Sequence, residues 1–451
     1  MTGTLMAGVS GVRGIVGTDL TPEVVARYAA AFGRLAAGAK SRTVVLARDS
    51  RASGPAFAVA ARVGLEAVGA RVIDCGLIPT PTAQLAVTHH EACGAVVITA
   101  SHNPVEWNAL KFVGSDGIFL DGDAMARLFE IERGGDLPPI SLDRVGETAA
   151  DSDAVRRHID AVMALDVVDV AAVTSGGFTV VLDCVRGAGG TVMPELLERL
   201  GCRVVGLDLE PDGRFPRAPE PVPENLVGLG ELVRREGADL GVAVDPDADR
   251  LAIVDEHGTP IGEDYTLAFA VQTVLERRVG PVVANLSTSL VVDDAAREFG
   301  IEVQRAPVGE VNVARAMERA GAVVGGEGNG GVMLPALHLG RDAPLAAALV
   351  LDLLARTGAT VSRVVAGRPR YVIVKARSPR RGDLEEVYER LERCFPDAER
   401  DRQDGLRLGW ADRWLHVRPS GTEPIVRLIA EAPSADLAES LATAVRDAMA
   451  A

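Results

Sequence analysis

Aromatic side chains are scarce: three Trp, four Tyr and ten Phe make up only 4% of the 451 residues. The interior must therefore be built from Ala, Val, Leu and Ile, which suit buried strands covered by Ala-rich helices. Cysteine is sparse too. Cys75, Cys93, Cys184, Cys202 and Cys394 are scattered, odd in number and never in C-x-x-C spacing. That disfavours a disulfide framework or a cysteine metal site, and fits a reducing compartment. No apolar run reaches about 18 residues and no basic-then-apolar leader opens the sequence, so a cytoplasmic protein without a membrane partner is expected. Basic charge is also in deficit, with 47 Lys and Arg against 63 Asp and Glu, a formal net charge of −16. Such a field repels nucleic acid, and no basic stripe with interleaved aromatics offsets it. An anionic substrate would have to be held locally by Arg, Lys, metal and backbone groups.

What is present is an ordinary enzyme composition, 47% hydrophobic and 24% charged, in a chain long enough for three or four domains. Short β-branched runs alternate with longer Ala/Leu/Arg/Glu stretches. Thr43–Ala47, Arg71–Asp74 and Ala95–Thr99 form one round, with a helical pattern over Pro55–Val68. Thr179–Asp183, Arg203–Leu207 and Leu240–Val244 form a second, and Val282–Leu286, Glu302–Arg305 and Ala322–Gly325 a third. Alternation at this spacing predicts βαβ units. The segment from Tyr371 changes character, with YVIVKA, WLHVRP and VRLIAEA runs and two helical stretches. The expected fold is α/β, three related domains with mixed, mostly parallel sheets and a smaller C-terminal α+β domain. Their expected spans are 1–150, 151–257, 258–362 and 363–451.

Four short segments carry chemistry. TASHNP, Thr99–Pro104, follows an apolar strand, and α/β sheets gather ligands at the carboxyl ends of strands. There Ser101 can serve as a covalent carrier if a base and cations lie close; a plain strand-end turn is the alternative. Lys111 follows in W-N-A-L-K and can supply a cation or proton relay. In DPDADR, the carboxylates of Asp245, Asp247 and Asp249 can converge on one cation, whereas isolated they would repel. All-oxygen ligation suits Mg²⁺, and Arg250 stands where an EF-hand calcium loop needs glycine. In GGEGNGG, Glu327 and Asn329 sit on a glycine-rich loop that can approach sugar hydroxyls closely. In RPSGTEP, the combination of Arg418, Ser420, Gly421 and Thr422, with Arg427 beyond, matches the bidentate and backbone donors that phosphate takes. No G-x-x-x-x-G-K-[ST] loop or G-x-S-x-G elbow occurs, which excludes P-loop kinases and ordinary α/β-hydrolases.

In this order the motifs resemble those of the α-D-phosphohexomutase superfamily, from about Gly8 to Arg427. The resemblance implies four domains around a central cleft, each giving one loop. It implies a phosphoserine at Ser101 and one Mg²⁺ per chain, held by Asp245, Asp247, Asp249 and the Ser101 phosphate. The reaction would interconvert a hexose 6-phosphate and 1-phosphate, with a sugar 1,6-bisphosphate as intermediate and activator. Arg13, in GVSGVRG, would surround the transferred group with His102 and Lys111, Lys111 being the preferred general acid/base, and Arg250, the last residue of the magnesium loop DPDADR, is a further site residue. Glu327, Asn329 and Glu310 would meet the sugar; Arg418, Ser420, Gly421, Thr422 and Arg427 would clamp the resting phosphate. The chain departs from the family pattern at Pro246 and Ala248 (usually Gly), at Asn329 (commonly Ser), at Gly331 (often His) and at Glu310 (often His).

Glu310 and Glu327 suggest a carboxylate-rich pocket that an ammonium would favour, so glucosamine phosphate is the expected substrate. A phosphomannomutase/phosphoglucomutase acting on neutral hexose phosphates is the runner-up. A metal-dependent sugar phosphatase and a non-catalytic sugar-phosphate binder are alternatives of other classes. The expected partner is a small sugar phosphate, and the chain is expected to be a monomer or homodimer.

Overall fold

Val- and Ile-rich runs form the strands, and Ala- and Leu-rich segments cover them. The computed structural model describes residues 5–37, 41–135, 145–380, 382–420 and 425–450. The strands Thr179–Asp183, Arg203–Leu207 and Leu240–Val244 keep the bounds the sequence pattern predicts. The strand Gly94–Ile98 is buried throughout, as a strand covered on both faces must be.

The strands assemble into sheets of seven, four, four and five. In the first, Gly94–Ile98, Thr43–Arg48, Arg71–Leu77 and Thr148–Ala150 run parallel. Trp107–Gly114 and the hairpin of Met6–Gly8 with Gly11–Ile15 extend it antiparallel. The second sheet sets Thr179–Asp183 between Arg203–Leu207 and Leu240–Val244, all parallel, and adds Leu251–Val254 antiparallel. The third repeats that plan, Val282–Asn285 lying between Val303–Ala306 and Val324–Glu327 with Gly331–Met333 antiparallel. The C-terminal sheet is wholly antiparallel and packs against the helices Leu384–Cys394 and Ala435–Ala450. The α/β class with an α+β unit at the C-terminus is as expected.

This plan positions the site. In each α/β sheet the chemistry-bearing loop leaves the carboxyl end of a parallel strand and returns on an antiparallel neighbour. Residues 99–106 join Ile98 to Trp107, residues 245–250 join Val244 to Leu251, and residues 328–330 join Glu327 to Gly331. The C-terminal loop after Pro419 likewise links antiparallel neighbours.

One continuous core of Val, Leu, Ala and Ile runs through the second and third sheets, drawing in the helices Asp264–Leu275 and Ala343–Thr357. The first sheet has separate cores on its two faces. Ala343–Thr357 is fixed at both ends: the Asp342 side chain accepts from Leu345 N, and Gly358 closes it at φ +60°. All five cysteines are free. Among the described residues no helix is long and apolar enough to cross a membrane.

Candidate active site

Ser101 sits in the turn after Gly94–Ile98, with φ +47°, a left-handed conformation that L residues adopt at a cost. The turn aims its hydroxyl away from its own sheet: Oγ donates to Asp245 Oδ2 at 2.7 Å. His102 Nδ1 lies 3.4 Å from the same Oγ. The positive charge of Arg250 and then burial hold the His102 imidazole well below its ordinary pKa, so the ring is neutral.

Asp245, Asp247 and Asp249 lie in the loop between two paired strands, their ligand atoms within 4.8 Å of one another. Asp245 Oδ1 accepts the N–H groups of Asp249 and Arg250 at 3.1 and 3.3 Å, closing the loop on itself. Ala248 takes φ +51°, the conformation a glycine adopts freely. Burial pushes Asp245 well above the ordinary carboxylate range, and the charges of Asp249 and Asp247 add to it. Burial pushes Asp247 up as well, but the Lys111 ammonium offsets this and leaves it below its ordinary value. Asp247 Oδ1 and Asp249 Oδ1 are buried without a hydrogen-bond partner. Three clustered carboxylates with two orphaned oxygens are the donor set a hard divalent cation takes, so these residues fit Mg²⁺.

Lys111 reaches the site from the strand Trp107–Gly114, and Arg13 stands on the neighbouring strand. Arg13 opposes Ala109 in the ladder, and residues two apart share a face, so both side chains stand on one side of the sheet. Lys111 Nζ bonds Asp247 Oδ2 at 2.7 Å and lies 3.7 Å from Asp249. Burial lowers the lysine's pKa, but Asp247 and Asp249 more than reverse this, so it stays protonated. Thr80 Oγ1 donates to Asp247 Oδ2 at 2.7 Å.

Arg341, which the sequence reading did not select, ties three loops together. It contacts Asp249 at 2.5 Å, Glu310 at 3.1 Å and Glu327 at 2.9 Å. The two glutamates are therefore not bare carboxylates. Glu327 also accepts from Asn285 at 2.8 Å and Gly309 N at 3.0 Å. Burial would raise its pKa, but Arg341 leads the groups that hold it below the ordinary value. Glu310 opens the helix Glu310–Ala320 and accepts from Gln84 at 3.3 Å; burial pushes it up to about 7 against the pull of Arg341. The surplus negative charge expected from Glu310 and Glu327 is thus offset by one buried guanidinium. Asn329 Oδ1 accepts from Gly331 N at 3.2 Å and shapes its own turn.

The residue after Arg341, Asp342, is itself anchored: its Oδ2 meets His158 Nε2 and His338 Nε2, each at 2.8 Å. The only sequence signal for Arg341 was a charged G-R-D step before an Ala-rich helix.

On the C-terminal sheet, Arg418 and Arg427 are direct cross-strand partners, and Arg377 faces Arg427 from the other side. Like charges set opposite one another destabilise a ladder unless an anion joins them. Asp404 holds Arg418 at 2.8 Å. Ser420 N donates to Ile425 O at 2.8 Å, whereas Gly421 and Thr422 lie outside the described residues. Burial and then the Arg427 charge lower the pKa of Arg13. Ser101, His102, Lys111, the three aspartates, Arg250, Glu310 and Glu327 form one connected group through these contacts and Arg341; Arg418 and Arg427 stand together on the C-terminal sheet.

A mixed-sheet scaffold whose strand-end loops bring a serine hydroxyl against a buried cluster of three carboxylates, with a lysine beside them, is the arrangement of a phosphoryl-transfer protein. Comparison with known proteins gives the family. Phosphoglucomutase/phosphomannomutase domains I, II and III match residues 4–135, 156–258 and 262–371, and the C-terminal domain of that family matches 373–448. The chain belongs to the α-D-phosphohexomutase superfamily. A probable phosphoglucosamine mutase of Methanopyrus kandleri is 39% identical over 441 residues, covering 96% of this chain and 95% of the relative. A phosphoglucomutase/phosphomannomutase of Thermococcus kodakarensis is 38% identical over 440 residues, with 96% and 95% covered. A solved phosphoglucomutase/phosphomannomutase family protein from Burkholderia thailandensis superposes with a TM-score of 0.85 at 27% identity, covering 99% of this chain and 97% of that one.

Proposed function

We propose that this phosphohexomutase interconverts hexose 6- and 1-phosphates by relaying the phosphoryl group through Ser101, with glucosamine phosphate as its principal substrate. The observation that carries the relay is the 2.7 Å bond from Ser101 Oγ to Asp245, which places a hydroxyl against a buried cation site. Asp245, Asp247 and Asp249 would hold Mg²⁺, which when bound offsets negative charge on the transferring group.

The protein's own groups do the rest. The phosphoryl group leaves Ser101 Oγ for a sugar hydroxyl: the P–O bond to serine breaks and one to the sugar forms, while the hydroxyl gives up its proton to a base and Oγ regains one from an acid. Protonated Lys111 and Arg13 stabilise the charge that develops. Neutral His102, 3.4 Å from Oγ, is in the state that accepts a proton, and Lys111 in the state that donates one. The bisphosphate turns over, its other phosphate returns to Ser101, and Arg418 and Arg427 grip whichever phosphate is resting.

The amino-sugar reading is supported by Glu310 and Glu327 beside the specificity loop and by the name of the Methanopyrus kandleri relative. A second reading, neutral hexose phosphates, is favoured by Arg341, which pairs both glutamates. Comparing kcat/KM for glucosamine, glucose and mannose 1-phosphates decides between them. A preference for glucosamine 1-phosphate supports the first. A tenfold preference for either neutral sugar, about 1.4 kcal/mol, establishes the second.

A further inference from the structure

Beneath the serine turn lies Arg51, only 1% exposed. Its guanidinium has five N–H donors in a planar fork, and all five are used. Nη1 donates to the carbonyls of Pro104 at 2.7 Å and Trp107 at 2.8 Å. Nη2 donates to the carbonyls of Ser101 and Asn103, both at 2.7 Å. Nε donates to Asp49 Oδ2 at 3.1 Å. One cation thus gathers three carbonyls from the loop that carries the serine and one from the first residue of the strand that follows it.

The network closes back on Ser101. Asp49, fully buried, also accepts from Arg51 N at 2.9 Å and from Thr99 Oγ1 at 2.8 Å. Thr99 Oγ1 in turn accepts from Ser101 N at 2.9 Å. Ser101 is therefore held through its N–H and its carbonyl at once, while its φ of +47° is one that an unrestrained L residue leaves. The outer side of the network is covered by the next sheet's unit. The ring of Phe215 lies 5.0 Å from the Arg51 guanidinium. Gly213 approaches so closely that a Cβ there would stand 2.2 Å from the Ser50 carbonyl. That cover keeps water from competing for the carbonyls.

We propose that Arg51 is a positioning residue for phosphoryl transfer: with Asp49 and Thr99 it locks Ser101 in the left-handed conformation that aims Oγ at Asp245. It touches neither the acidic cluster nor the hydroxyl itself, and acts only through the loop backbone. Lysine cannot replace it, because a single ammonium has three donors for five acceptors. A carrier displaced by about 1 Å loses roughly a hundredfold in rate, and substrate binding, which rests on other loops, is spared. The inference rests on the Ser101 relay.

The test compares parent, Arg51→Lys and Thr99→Val enzymes. Thr99→Val keeps the shape, removes the link between Asp49 and Ser101 N, and decides the matter if Arg51→Lys does not fold. Each is assayed for kcat and KM per folded molecule, and for the rate at which glucose 1,6-bisphosphate phosphorylates Ser101, read by intact mass. The expected result is a fall of about ten- to a hundredfold in kcat and in serine phosphorylation, with KM changed less than about threefold. Parent-like kcat and phosphorylation in folded variants, whatever their melting temperatures, would overturn the inference. Failure of the parent itself to become phosphorylated would instead remove the relay.

Discussion

Ser101 Oγ and Asp245 Oδ2 are 2.7 Å apart although 144 positions separate the residues. The bond joins the first and second sheets at the strand-end loops, and it sets the serine hydroxyl against a buried carboxyl that Asp249 and Asp247 crowd. Asp245→Asn removes one of three clustered carboxyl groups. Turnover should fall by orders of magnitude, while the metal-free protein should melt no lower than the parent, because burial already favours the neutral form of Asp245 and an amide oxygen can still accept from Asp249 N and Arg250 N. Melting curves with and without Mg²⁺ check both sides: the parent should gain about 2.7 kcal/mol at a hundredfold excess over Kd, and the variant little. A Mg²⁺ shift undiminished in Asp245→Asn would move the cation site elsewhere.

Arg341 braces the acidic loop, the glycine-rich loop and Glu310 together. Breaking a buried ion pair by removing one partner costs about 3–5 kcal/mol, so Arg341→Met should unfold at clearly lower urea. Because it uncovers the glutamates, it should also shift the kcat/KM ratio toward glucosamine over glucose 1-phosphate. An unchanged ratio in the folded variant would show that Glu310 and Glu327 do not read the sugar's charge.

What was legible in the sequence was local chemistry. Ser101, the three aspartates and Glu327 each stand in a short run at the end of an apolar strand, where both strand and loop can be read from neighbouring residues. Arg341 could not be read this way, because its meaning lies in Asp249, 92 positions away. For the same reason Glu310 and Glu327 looked like free charge until the fold brought that guanidinium to them. Arg51 did follow a strand with Asp49, but nothing local shows that its donors meet carbonyls some fifty positions on. Among the strands, Gly11–Ile15 and Trp107–Gly114 escaped because GVRGI and WNALKFVG lack a sustained β-branched run. Their hydrogen bonds to each other define them.

Arg418 and Arg427 face each other across the ladder. Losing Arg418 should raise KM for both the 6- and the 1-phosphate by about tenfold or more, since each end of the sugar docks there in turn; one charge-assisted bidentate contact is worth about 1.5–3 kcal/mol. Phosphorylation of Ser101 by a sugar bisphosphate should persist. A KM raised in one direction only would assign Arg418 to one binding orientation and contradict its role as a common clamp.

Asp264 is buried against Gly328 of the glycine-rich loop, accepts Ser289 N at 2.8 Å, and is pushed by burial from 3.8 up to about 7. The folded protein therefore holds a proton there that the unfolded chain releases above about pH 4. The stability from this group is fully present below pH 4 and is lost as pH rises through about 7. Asp264→Asn, which cannot titrate, should flatten the fall in urea midpoint between pH 5 and 8. Equal slopes in parent and variant would refute the assignment.

The proposed route of the phosphoryl group runs through Ser101. The direct measurement is a rapid-quench chase in which enzyme labelled on phosphate by a sugar bisphosphate is mixed with unlabelled glucosamine 6-phosphate, with the label mapped by peptide mass spectrometry. The label should start on Ser101 and leave for sugar at a rate at least equal to kcat, and Ser101→Ala should carry no label there and turn over orders of magnitude more slowly. Full mutase activity in Ser101→Ala, or a serine label that leaves more slowly than turnover, would contradict it.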